Sequence, residues 1–177
     1  MVLYGTNTMS PDKDAALCAK YPKIFRDRNA PMNQTCMCWG FDVGDGWYDL
    51  IDTLCDDIQN EVDNDVRQQG YKIERGDLKP EDAIPEEDMQ VVAIQVKEKF
   101  GGLRFYTSGA SERVDGMISM AESMSYKICE TCGSPGRPNK DGWIATLCDP
   151  CREARDKERA ARDAELKSRL DLKQGTP

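Results

Sequence analysis

Four of the eight cysteines stand as Cys129-Glu130-Thr131-Cys132 and Cys148-Asp149-Pro150-Cys151, a C-x2-C-x15-C-x2-C pattern. Each pair is spaced so that one tight turn aims two sulfurs at a common point, and two such turns supply the tetrahedron that Zn²⁺ prefers. Gly133 follows the second thiolate, where a backbone of positive φ or an amide turned toward the sulfur suits glycine. The chain has no histidine. That removes the mixed Cys/His and His-based catalytic zinc sites, and a four-sulfur site has no position open to water, so the expected zinc is structural. A zinc ribbon can touch nucleic acid or a polymerase-like partner, or it can simply staple its end of the chain. The staple is preferred, because zinc contributes folding energy whether or not the surface binds anything, and the ribbon lacks a concentrated basic footprint.

Three other groups could do chemistry. Cys18, Cys36, Cys38 and Cys55 have a C-x17-C-x-C-x16-C spacing that matches no usual second metal site, and ordinary buried or loop thiols are the preferred reading. Asp45, Asp49, Asp52 and Asp56 share one side of an expected helix that begins at Trp47, which joins them as a candidate ligand- or partner-binding residue. Such carboxylates can hold Mg²⁺ or Ca²⁺ for phosphoryl hydrolysis, mimic nucleic-acid phosphates in a partner's basic cleft, or meet water, which is the commonest fate of a charged face. Lys97, Lys99 and Arg104 lie near Phe100, Phe105 and Tyr106. They suit a basic hairpin tip that grips phosphate while a ring stacks on a base, although the same aromatics serve equally as the inner face of a sheet.

The elements that must position these groups follow from periodicity and breakers. Ser10-Pro11 starts a short helix that ends before Pro22, and residues 23 to 40 read as loop or extended chain. Leu50, Ile51, Leu54, Cys55, Ile58 and Val62 recur at helical spacing and predict a helix to about Asp63. Residues 64–88 read as an acidic connector, with Ile73, Leu78 and Ile84 as anchors. The β-branched run from Met89 to Phe100, then Gly101-Gly102 and Leu103 to Tyr106, predicts a β-hairpin with Val92, Ile94 and Val96 on one side. A helix over about residues 111 to 125 presents Val114, Met117, Ile118, Ala121 and Met124 and leads into the first knuckle. Between the knuckles a turn-forming loop precedes the short apolar run Trp143 to Leu147. Residues 152–177 alternate in charge and read as an exposed helix or a frayed tail, with only Leu166, Leu170 and Leu172 able to pack.

The fold class expected is α+β: a small antiparallel sheet with packed helices over 1–128, a zinc ribbon over 129–151 and a charged helical tail over 152–177. The 177 residues carry a net charge of −8, and 39% are hydrophobic. From Asp42 to Asp88 there are 16 acidic against 4 basic residues, whereas from Cys129 onward 10 basic face 9 acidic. The acidic middle suits a cationic partner surface better than direct binding to a nucleic-acid backbone. Neither a signal peptide nor an apolar run long enough for a membrane span is evident, and metal-bound thiols favour a reducing cytoplasm.

The combination of Gly44-Asp45-Gly46-Trp47, Val96-Lys97-Glu98-Lys99-Phe100-Gly101-Gly102-Leu103-Arg104-Phe105-Tyr106 and the ribbon with Gly142-Trp143 and Thr146-Leu147-Cys148 resembles a group of small, largely uncharacterised bacteriophage and prophage proteins. The resemblance spans about Gly40 to Cys151. It implies expression in a bacterial host cytoplasm and brings no catalytic residues. The function expected is that of a non-enzymatic phage accessory protein that binds a host macromolecule, with a host protein as the expected partner and antagonism of a host enzyme or defence system as the role that the resemblance and the acidic block suggest. The alternatives are a nucleic-acid or nucleotide-binding module built on Lys97, Lys99, Phe100, Arg104 and Tyr106, and a divalent-metal phosphoryl hydrolase built on the aspartates.

Overall fold

A computed structural model of the chain describes residues 8–139 and 142–174, and the side chains of the last helix as far as residue 169. The stretch Met1 to Asn7, the loop residues Lys140 and Asp141, and the side chains of Leu170 and Leu172 lie outside the described residues. The architecture is α+β. The first helix, α1, spans Pro11–Lys20, opens on Ser10 and a first-turn proline, and buries Leu17. Turns carrying the buried Ile24 and Phe25 follow, and a single 3-10 turn at Met37–Trp39 leads into the two-residue strand β1, Phe41–Asp42.

The second helix, α2, runs Tyr48–Glu74. Its buried stripe is Ile51, Leu54, Cys55, Ile58 and Val62, as the periodicity predicts, with Leu50 half-buried beside it. It continues well beyond the expected end near Asp63 and takes up the first part of the 64–88 connector. Straight-chain residues and solvated carboxylates sustain those turns, and Gly70 sits among them with open space around it. The rest of the connector returns along α2 through the single turn α3, Glu86–Met89. Gln69 fixes this return, its side-chain amide donating to the Ile84 carbonyl at 2.8 Å and accepting from the Ile84 amide at 2.9 Å.

Strands β2, Val92–Lys99, and β3, Gly102–Ser108, form the expected antiparallel hairpin, while β1 pairs with β2 in parallel, giving a three-stranded mixed sheet in the order β1-β2-β3. The sheet is therefore mixed where an antiparallel one was expected. The strict alternation expected of Val92, Ile94 and Val96 also fails. The pairing shifts register between Ala93 and Gln95, which leaves Ile94 exposed and Ala93 buried. Helix α4, Glu112–Ser125, is capped by the Ser111 hydroxyl, which accepts the Val114 amide. It buries Val114, Ile118 and Ala121, with Met117 half-buried and Met124 exposed.

That helix closes the outer edge of β3. The Ser125 hydroxyl accepts the Leu103 amide at 2.9 Å and the Glu122 carboxylate accepts the Phe105 amide at 3.1 Å, so two ladder donors are used up by side chains. One core unites Leu17, Ile24, Phe25, Phe41, Trp47 and the stripe of α2 with Val96, Leu103, Phe105 and α4. The opposite face of the sheet is open. The ribbon follows, with β4, Arg137–Pro138, pairing with β5, Thr146–Leu147, and the chain ends in α5, Asp149–Gln174. The charged tail is thus a helix. Its described side chains beyond Arg155 are exposed, Leu166 among them, in keeping with a surface that is polar all round. No helix among the described residues is long and apolar enough to cross a membrane.

Candidate metal centre

The ligating atoms of Cys129, Cys132, Cys148 and Cys151 all lie within 4.8 Å of one another, and they form the one group among the described residues whose side chains could jointly hold a metal ion. Cys132 and Cys148 bring their sulfurs to 3.6 Å. A metal at about 2.3 Å from each sulfur requires sulfurs roughly 3.8 Å apart, so this spacing suits a tetrahedral ion. Both turns are built locally. Gly133 has φ 78°, which places its amide to donate to the Cys129 carbonyl at 2.8 Å. The second pair lies where β5 gives way to α5.

The site's electrostatics are mixed. Burial pushes the Cys129 thiol up, while backbone N–H groups of Cys148, Cys132 and Thr131 act in the other direction. Hydrogen bonds from Ser134, first through its side chain and then through its backbone, bring Cys132 down to about 6. Such donors favour a thiolate, the form that binds metal. Arg152, one position past Cys151, donates to the carbonyls of Arg137 at 2.7 Å and Leu147 at 3.1 Å and so ties α5 to both ribbon strands.

The ribbon is not a free appendage. Glu130 is buried, and its backbone carbonyl accepts the Gly46 amide at 2.8 Å while its carboxylate accepts the Gly44 amide at 3.1 Å. The Trp47 indole N–H donates to the Ile128 carbonyl at 2.9 Å. Thr146 hydrogen-bonds the Gly101 carbonyl at 2.5 Å from the other side of the ribbon. The Gly44-Asp45-Gly46-Trp47 turn and the hairpin turn therefore grip the same small unit. Glu130 and Thr146 are site residues that sequence reasoning passed over, and the glycines of the two motifs were their available signal.

The other expected site residues separate. Trp47 is fully buried and belongs to the core, so it does not form a partner-binding surface. A tryptophan at the start of an amphipathic helix buries more area inward than the preceding aspartate does. Asp45 accepts the Ser10 amide at 2.7 Å and lies 3.9 Å from Lys13. Asp52 pairs with Lys20 at 2.8 Å and accepts the Tyr21 hydroxyl at 2.9 Å. Asp49 and Asp56 are exposed. The four aspartates are thus spread along α1 and α2 contacts instead of converging on one point. Cys55 lies in the core and Cys36 is exposed, and Cys38 donates to the Thr35 carbonyl at 3.3 Å. Burial, followed by the charge of Asp14, pushes Cys18 up to about 11.

The hairpin also rearranges the expected basic tip. Lys97 and Arg104 are cross-strand partners in the body of the sheet, and only Lys99 stands next to the turn. Arg104 is held by the Tyr126 hydroxyl at 3.0 Å and by Glu122 at 3.7 Å. Phe105 is buried, whereas Tyr106 is exposed on the open face opposite Gln95. Phe100 is 66% exposed with φ 55°, so the two turn residues are Phe100 and Gly101, one position earlier than the expected Gly101-Gly102. Gly102 instead packs its bare Cα against Tyr126, whose ring atoms would lie 2.4 Å from an added Cβ. No family model, curated protein or solved structure matches the chain.

Proposed function

We propose that the chain is a zinc-clasped accessory protein of bacteriophage origin that binds a host macromolecule, and that the hairpin turn and the neighbouring ribbon loop are its contact. Phe100 is the observation that carries this reading. It occupies the first position of a two-residue turn whose residues both have positive φ, 55° and 78°. Asn or Gly fills that position most readily, and a side chain other than these costs about 1 kcal/mol. The ring recovers nothing by burial, since it is largely exposed. A residue placed against the preference of its turn, with its ring in water, is suited to contacts outside the chain.

The ring has company. Ile144 approaches the turn so closely that its Cγ2 would lie 2.9 Å from a Cβ on Gly101, and Trp143 beside it is 78% exposed. Lys99 lies 5.5 Å from the Phe100 ring centroid. Rigid aromatics with a cation at their edge are the side chains on which protein interfaces concentrate binding energy. The exposed acids Asp56, Asp57 and Asp63 on α2 and Glu86 to Asp88 support a partner that also offers cationic surface. Zinc is the metal that a closed four-thiolate centre without histidine suits best. Antagonism of a host enzyme or defence system is the role that a phage origin would give such a contact.

The test is capture from bacterial lysate at low salt with wild-type protein and the Phe100→Gly variant. A stoichiometric partner retained by wild type and lost by the variant is expected. Equal recovery by both would remove the hairpin turn from the interface, and no stoichiometric partner at all would end the host-binding reading.

A further inference from the structure

Beside strand β1, a cavity of about 280 Å³ is lined by Thr8, Cys36, Trp39, Asp42, Gln95 and Val96. Its indole is unusual. Trp39 is 70% exposed, yet the turn that carries it is fixed on several sides. The Met37 amide donates to the Thr35 hydroxyl at 3.0 Å, the Cys36 amide donates to the Ile94 carbonyl at 3.0 Å, and Arg28 donates to the Cys38 carbonyl at 3.3 Å. Gly40, at φ 81°, turns the chain into β1 directly against Asp14 and Arg28. An aromatic face presented on so rigid a support loses little freedom when something stacks on it.

The bulge in β2 contributes to the same place. Because the register shifts between Ala93 and Gln95, the Ile94 carbonyl is left to hold the Trp39 turn, and Gln95 stands on the open face with Lys97. Asp42, the register partner of Lys97 in β1, shares that face. Among the described residues neither the Asp42 carboxylate nor the Gln95 amide has a hydrogen-bond or ion-pair partner, and Lys97 has no ion pair. The cavity thus joins one stacking surface, one acceptor-only carboxylate, one amide that both donates and accepts, and one neighbouring cation.

We propose that this cavity binds the guanine base of a nucleotide, stacked on Trp39, with its Watson–Crick edge on Asp42 and Gln95 and its phosphate on Lys97. Guanine offers adjacent N1–H and N2–H₂ donors, which a carboxylate accepts together, and its O6 accepts from an amide N–H. Adenine offers a single exocyclic amine beside the acceptor N1, which a carboxylate repels. Stacking on an aromatic face and hydrogen bonding of an unstacked base edge are how proteins read single bases. The volume is of the order that one nucleoside requires. The same chemistry is offered by a free nucleotide and by a guanine in a single strand.

The test is titration of the Trp143→Phe protein, in which Trp47 is buried and Trp39 is the accessible indole, with GMP, AMP and a single-stranded tetranucleotide containing one guanine. Saturable quenching by GMP is expected, with AMP at least about tenfold weaker. Asp42→Asn should weaken GMP by about tenfold while leaving the denaturation midpoint unchanged, and Lys97→Ala should weaken GMP but not guanosine. Tighter binding of the tetranucleotide than of GMP assigns the site to a single strand, and equal or weaker binding assigns it to the free nucleotide. Equal affinity for GMP and AMP, no saturable binding, or indifference to Asp42→Asn would overturn the proposal. None of these outcomes depends on Phe100, so this site and the hairpin contact succeed or fail separately.

Discussion

A Cβ added to Gly46 would lie 2.1 Å from the carbonyl oxygen of Cys129, the first residue of the four-cysteine cluster. The same atom would lie 2.4 Å from the Gly133 nitrogen and 2.7 Å from that of Cys132, all of them backbone and none able to swing aside. Two motifs more than eighty positions apart are therefore one structural joint, in which the turn before α2 lies flush against the thiolate knuckle.

Gly46→Ala should destabilise the protein by roughly 3 kcal/mol or more, since overpacking a joint of two backbones forces it open. Gly70→Ala is the matched control. It lies inside α2 with nothing within 4 Å, and alanine there should stabilise by about 0.5–1 kcal/mol through helix propensity. Denaturant midpoints of the two variants, compared with wild type, check both signs in one experiment.

Much of this could be read from the residues themselves. The C-x2-C pairs, the apolar stripe of α2, the hairpin and the helix starting near Ser111 follow from spacing and turn chemistry that act locally. What could not be read was which surface each glycine faces. Gly44, Gly46 and Gly101 are loop signals in the sequence, and only the fold shows that they meet Glu130 and Thr146 across long separations. Trp47 was misplaced for the same reason. A tryptophan beside aspartates fits a surface as well as a core until the ribbon closes over it. The bulge at Ile94 is likewise invisible in a run of alternating apolar residues, because the Thr35 and Cys36 groups that its carbonyl accepts come from a distant turn.

Phe100 separates folding from binding. Phe100→Gly replaces a left-handed aromatic by the residue that its backbone favours, so stability should hold or rise by up to about 1 kcal/mol. A thermal or urea melt checks this. A marked loss of stability would show that the ring supports the fold and is no probe of the interface.

Alkaline pH should weaken the junction of α1 with α2. Burial is the main cause that raises the Tyr21 hydroxyl from its ordinary value of 10.0 to about 12, with Asp52 adding to it and Lys20 opposing it. Cys18, facing Asp14 and Arg28, is raised from 9.0 to about 11, again chiefly by burial. Both groups bind their proton more tightly in the folded state. Their contribution is therefore fully present below about pH 9 and is lost as pH rises through about 11 for Cys18 and about 12 for Tyr21. Urea midpoints should fall across that range. Tyr21→Phe should cost about 1 kcal/mol near neutrality, where its hydrogen bonds to Asp52 are lost, and should flatten the fall above pH 10. An unchanged alkaline slope in that variant would exclude Tyr21 as its source.

On the proposed reading, a metal held by Cys129, Cys132, Cys148 and Cys151 clasps the ribbon onto the turn before α2. Amide hydrogen exchange at Gly44 and Gly46, measured on zinc-loaded protein and again after chelation, tests it most directly. Both amides donate to Glu130, inside the knuckle. They should be protected with zinc bound and should lose that protection on chelation, while the β2–β3 ladder keeps its own. Protection at Gly44 and Gly46 that is the same with and without metal would contradict the account.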